Sequence, residues 1–251
     1  VAILRGILDQ PEAQVVAETH EAEEGKIIEI AEDPGLVELL PAALAGISRI
    51  ARSRSCPPAV LRQLVDLLIS RWQDILAGKR MWGPANAMFL VRAFQEIGCH
   101  PELGDELRMN IIKALAPRLI YVPVLPAAGA ILGTADTPGT AKAALTIGVA
   151  LTRQRDPNGQ YPAEDRQEYL KALGRIALRG KLGAADATGQ ERAQRFRETV
   201  IDDLFRGAQD LVPGAYEALI ALRDAKLVRP EAQAALERRL SEFHALALPG
   251  A

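Results

Sequence analysis

Prolines recur along this chain with a period of roughly 43 residues. Pro41, Pro84, Pro126, Pro162 and Pro213 stand 43, 42, 36 and 51 residues apart, and each is followed by Ala or Gly. A second series, Pro57, Pro101, Pro138 and Pro230, runs out of phase, with spacings of 44, 37 and 92. The first turn of a helix tolerates proline because its N–H has no intrahelical partner. Two interleaved series therefore mark two helix starts per repeat. Self-similarity at this period predicts an all-α fold, a right-handed α-solenoid of about five antiparallel helix pairs, each pair burying its apolar face on its neighbours.

Apolar spacing places the helices. Leu36, Leu39, Leu40, Leu44, Ile47 and Ile50 make one stripe over 36–52. Over 58–77, Leu61, Leu64, Val65, Leu68, Trp72, Ile75 and Leu76 share a face, with Arg62, Gln63, Asp66, Arg71 and Asp74 assigned to the other. The segment 84–98 is apolar nearly all round, as expected of a helix covered on more than one side. Further helices are predicted near 102–120, 124–133, 139–154, 164–179, 190–209, 213–225 and 230–246. Gly78, Gly98, Gly133 and Gly180 stand near the expected ends, where left-handed caps would use them. No run alternates over several residues with β-branched enrichment, so no strand is predicted. Residues 1–35 are read as N-terminal capping helices and 36–251 as one continuous array.

Composition narrows the class. Hydrophobic residues are 49%, charged residues 25% and aromatics only 4%, a core of small aliphatics with little material for stacking on bases or flat cofactors. The net charge of −2 hides an asymmetry: residues 1–48 carry 2 basic and 10 acidic side chains, residues 49–118 carry 11 and 6. Such runs are usually solvated helix faces, and otherwise a basic surface aimed at an acidic partner. Cys56 and Cys99 lie 43 residues apart, in equivalent loops of adjacent repeats. Packed helices are about 8–10 Å apart, beyond the reach of a disulfide. Two free thiols and the lack of a signal segment suit the cytoplasm. The chain begins at Val1 without methionine, as a trimmed or excised piece would. The uncharged stretch Leu119 to Ala135 is 17 residues, broken by Pro123, Pro126, Gly129 and Gly133, too short for a membrane span.

Leu39-Leu40-Pro41-Ala42-Ala43-Leu44, followed by Pro57 and Leu61-Arg62, resembles a HEAT repeat of the HEAT/armadillo-like superfamily. Its first helix carries a Leu-Leu-Pro element, and its second begins after a proline with an apolar–Arg pair. Gly83-Pro84-Ala85 with Pro101 and Leu107-Arg108 is similar, as is Val124-Leu125-Pro126 with Asp136-Thr137-Pro138, where Lys142 stands for the usual arginine. The fourth pair departs, with a long linker and no proline at its second helix. Leu211-Val212-Pro213 with Pro230 returns to the pattern. The resemblance implies a scaffold or adaptor whose second helices line a concave face. It points to the polar sides of 58–77, 102–118 and 139–154. Minorities of the superfamily act as bilin lyases or as glycosylases on alkylated DNA.

No catalytic constellation assembles, so no enzyme is expected. His20, His100 and His244 are scattered and lack a second ligand-type residue at metal spacing, and neither a metal nor a cofactor is expected. Asp156-Pro157-Asn158-Gly159-Gln160 reads as a turn, because position 12 of a calcium loop would be Gln167 rather than glutamate. Lys79-Arg80-Met81-Trp82 combines arginine and tryptophan on one linker, the composition of an interaction hot spot; otherwise Trp82 folds back onto the next helix. Trp72 belongs to the core. Partner-binding residues are thus expected at Arg62, Arg71, Lys79, Arg80, Trp82 and Arg108, for a protein partner or another segment of a longer chain. The alternative is nucleic acid held by the basic stretch 49–118, against which stand a pI of 6.0 and the scarcity of rings.

Overall fold

The computed structural model describes residues 46–47, 49–50, 56–77, 84–119, 123–154 and 163–247. Among these residues the regular structure is helical throughout, without a strand. The chain divides into two compact units, Val1–His100 and Pro101–Ala251. The expected capping helices, nearly all of the helix at 36–52, the Lys79–Trp82 linker, the Asp156 turn and His20 lie outside the described residues.

In the first unit, α1 spans Pro58–Leu76 and α2 spans Pro84–Gly98. Pro57 is extended at φ −62° and ψ 142°, the conformation that a following proline imposes, and Pro58 opens the first turn where its missing N–H costs nothing. Leu61, Leu64, Val65, Leu67, Leu68 and Trp72 are buried. Trp72, 4% exposed, meets Phe94 of α2 edge to face with ring centroids 6.2 Å apart. That geometry sets the positive ring edge against the negative face and adds about 0.5–1.5 kcal/mol to the area buried. The core placement expected for Trp72 holds.

The second unit holds α3 (Asp105–Leu115), a 3-10 turn (Ala116–Arg118), α4 (Val124–Thr134), α5 (Pro138–Arg153), α6 (Ala163–Ala177), α7 (Ala187–Gln209), α8 (Ala215–Ala225) and α9 (Pro230–Ala247). Asp105 and Glu106 in the first turn of α3 favour its positive end. Asp186 caps α7 by accepting the Gly189 N–H at 2.6 Å. Pro138 and Pro230 begin their helices, as the spacing predicted. Principal contacts run from each helix to the next and the next but one: α4 packs on α5 and α6, α5 on α6 and α7, α6 on α7 and α8.

Helix α4 is the most enclosed. Every residue from Val124 to Leu132 is buried, matching its uncharged sequence. Each large aliphatic side chain buried there contributes about 1.5–3 kcal/mol relative to exposure. Small residues let α6 come close. A Cβ on Gly133 would lie 2.6 Å from the Arg175 Cβ and 3.1 Å from its backbone carbon, and one on Gly129 would lie 3.1 Å from the Ala172 Cβ of α6 and 2.8 Å from Leu151 Cδ1 of α5. This corrects the expectation for the glycines: Gly98 and Gly133 are helical, and the positive-φ glycines among the described residues are Gly183 and Gly214, not Gly98, Gly133 or Gly180. Helix α8 ends instead on Lys226, at φ 51°.

Candidate functional site

The C-terminal end of a helix leaves carbonyls without intrahelical donors, and in a buried end something must satisfy them. Here arginines do so in relay. Arg179, 2% exposed, follows α6 and turns its guanidinium onto the end of α4 and the turn after it. Its Nη1 donates to the carbonyls of Leu132 and Ala135. Nη2 donates to the Thr137 carbonyl at 3.0 Å and Thr140 Oγ1 at 2.9 Å, and Nε to the Lys181 carbonyl at 3.1 Å. All five guanidinium N–H groups are thereby used. Arg197 of α7, 4% exposed, repeats the arrangement one step on: Nε donates to Ala177, the last residue of α6, at 3.0 Å, and Nη2 to the Arg179 carbonyl at 2.6 Å.

Carboxylates pin the same turn from the other side. Asp136 accepts the backbone N–H groups of Gly180 at 3.1 Å and Lys181 at 2.8 Å. Asp105 at the start of α3 accepts the Thr137 hydroxyl and lies 3.7 Å from Arg108. Burial pulls both guanidinium groups below the usual arginine value, and Asp136 pulls each back up. The turn between α4 and α5 is therefore fastened to α3 and to the segment after α6.

This network decides what reaches the surface. Arg108 is 5% exposed, beside Asp105. The lysine at the third arginine position, Lys142, is exposed, and the guanidinium at that turn comes from Arg179 instead. In the first unit, Arg62 is exposed on α1, whereas Arg71 is half-buried and ion-paired with Asp74 at 3.0 Å. Nine residues turn a helix through about 180°, so the two project from opposite sides of α1. The reading that put them on one face is corrected by that geometry. Lys79, Arg80 and Trp82 lie outside the described residues.

Opposite their buried stripes, α3, α5 and α7 present polar rows. Exposed are Glu106 and Lys113 on α3, Lys142, Thr146 and Arg153 on α5, and Arg192, Arg195, Thr199, Asp202 and Arg206 on α7. Spacings of three, four or seven residues align each row. Arg195 bonds Glu191 at 2.8 Å, and Asp202 bonds Arg239 at 2.6 Å. Sequence reasoning placed a helix near 190–209 but left its polar side out of the candidate faces, because the helix start carries no proline. Phe196-Arg197, an apolar–Arg pair, is the signal that could have placed it in the pattern.

His100 is buried at 3% exposure, and Cys56 and Cys99 are free thiols, the first buried and the second half-buried. Among the described residues no group of three or more His, Cys, Asp or Glu could hold a metal ion, and no helix is long and apolar enough to cross a membrane. Comparison with protein-family models, curated proteins and solved structures returns no match.

Proposed function

We propose that this chain is a HEAT-like α-solenoid acting as a non-catalytic scaffold, which binds a protein partner through the outward faces of its second helices, α3, α5 and α7. One observation carries the reading: in the second unit each helix packs chiefly on the next two, and buried arginines fix successive helix ends one to another. Stability in such an array is a sum of neighbour terms rather than of one central core. The surface it generates is long, stiff and repetitive, which suits recognition of an extended partner. Rigid presentation lowers the entropy lost on binding.

A photo-crosslinking amino acid in place of Thr146 on α5 tests this, with the same residue in place of Arg175 on α6 as the comparison. The reading expects a discrete protein adduct from position 146 and none from 175, followed by direct binding of that protein to the purified chain. Equal capture at both positions, or none at 146, would remove the second-helix face from the account.

A further inference from the structure

We infer that α9 exchanges between two copies of this chain, giving a domain-swapped dimer in which the α9 of one protomer lies on α7 and α8 of the other. The connection that must open is short and strained. Four residues, Lys226 to Arg229, join α8 to α9, and Lys226 stands at φ 51° and ψ 39°. A lysine held left-handed crowds its Cβ against the following carbonyl, as a glycine would not. Straightening the connection releases that strain, and short strained hinges favour exchange. Leu211, the other left-handed residue besides glycine among the described residues, lies at φ 58° between α7 and α8. Opening there would also take Ala215, Leu219 and Leu222 of α8 out of the core, so the hinge is at Lys226.

Helix α9 is also lightly held. It is the last helix among the described residues, and its buried side chains there are Leu236 and Leu240, whereas α7 buries eleven. Much of the remaining attachment is polar. Arg239 bonds Asp202 at 2.6 Å, with its guanidinium carbon 3.9 Å from the centre of the Phe205 ring. Gln233 donates to the Arg223 carbonyl at 2.9 Å, and Arg229, just ahead of the helix, bonds Glu191 at 2.9 Å. Phe243 stacks on Tyr216 with ring centroids 5.5 Å apart. Solvent-exposed ion pairs contribute little apiece, and an element with few buried apolar contacts opens at a lower free energy than the core.

The same contacts specify the occupant. When α9 leaves, Phe205 and Tyr216 lose their cover, and Asp202 and the Arg223 carbonyl lose these partners. The α9 of a second copy brings arginine, glutamine and phenylalanine at the required spacings and restores all of them together. Closed and exchanged forms therefore share their contacts, and concentration decides between them. A short tether holds α9 at an effective concentration of about millimolar, and strain released at two hinges lowers the protein concentration at which exchange competes.

The test uses the full chain, unfolded in urea and refolded at about 1 mM, where a second copy competes with the tether. Size-exclusion chromatography with light scattering should find a dimer of twice the 27.1 kDa chain. Lys226→Gly removes the strain from both hinges and should lower the dimer's association constant at least about tenfold. Charge reversal shows which helix crosses. Asp202→Arg and Arg239→Asp each set like charges together in a closed chain, whereas an exchanged dimer of one with the other restores both pairs. Refolded as a mixture and read by native mass spectrometry, they should give the mixed dimer in at least about threefold excess over the two like dimers combined. Circular dichroism establishes that each variant folds; for one that does not fold alone, helix regained on mixing is the same rescue. A monomer at about 1 mM, an association constant unmoved by Lys226→Gly, or a statistical mixture of the charge-reversed chains would each overturn the inference.

Discussion

Replacing Arg179 with methionine keeps most of the buried stem and removes the donors, so the effect isolates the network. Five acceptors lose their partner: the carbonyls of Leu132, Ala135, Thr137 and Lys181, and Thr140 Oγ1. Lys181 is exposed, and water can replace the donor there. The single Thr140 hydroxyl proton, 3.3 Å from the Ala135 carbonyl and 3.4 Å from that of Thr137, can serve only one of them. The Leu132 carbonyl and one other are left without donors. A buried unsatisfied acceptor costs about 1–3 kcal/mol, giving a gross loss of about 2–6 kcal/mol. Part is recovered, because a guanidinium that burial already disfavours no longer has to be desolvated. The expected net loss of Arg179→Met is about 2–4 kcal/mol by urea denaturation with unchanged slope. Thr140→Val in the Arg179→Met background should cost less than in the parent, with a coupling of about 1 kcal/mol. Arg175→Met, at an exposed position on α6, should stay within about 0.5 kcal/mol. A loss under about 1 kcal/mol from Arg179→Met, at constant slope, would refute the claim that this arginine holds the helix ends together.

Further outcomes follow from packing and charge. Gly133→Ala gains about 1 kcal/mol of helix propensity but drives a methyl into the Arg175 backbone, so thermal melting should show a net loss of about 1–2 kcal/mol. Glu191 titrates below the usual glutamate value, chiefly because Arg195 and then Arg229 hydrogen-bond to it. Its folded value being lower than its unfolded one, its contribution is present above the ordinary glutamate range and is lost as pH falls through the lowered value. Arg195→Ala should move the carbon-13 titration midpoint of Glu191 upward. Burial raises the Cys56 thiol, so iodoacetamide followed by mass spectrometry should label half-buried Cys99 before Cys56; equal rates would contradict that burial.

Local signals were the legible ones. Proline at a first turn and a 3.6-residue apolar stripe are properties of one segment, so α1 and α5 begin within a residue of where Pro57 and Pro138 pointed. The buried arginines were not legible, because a lone Arg179 or Arg197 in a sequence reads as surface. Only the fold shows that Arg179 faces a helix end 44 residues earlier. Gly133 looked like a cap because it stands near a helix end, whereas it serves close helix contact, which depends on a partner remote in sequence. Arg62 and Arg71 were grouped as polar, and an angular count along α1 separates them. Lys142 was expected in the arginine slot of the third pair, whereas the guanidinium at that turn comes from Arg179, just after α6, which no local pattern announces.

Spin-label distances within the second unit test the account most directly, with labels at Asn110 on α3, Thr146 on α5 and Thr199 on α7 in a chain whose Cys56 and Cys99 are replaced by serine. Side-by-side stacking predicts that the separation from α3 to α7 is about the sum of the two neighbouring steps, each near the 8–10 Å of packed helices plus the label arms. An α3 to α7 separation no longer than a single step would mean that the helices close into a bundle, and would contradict it.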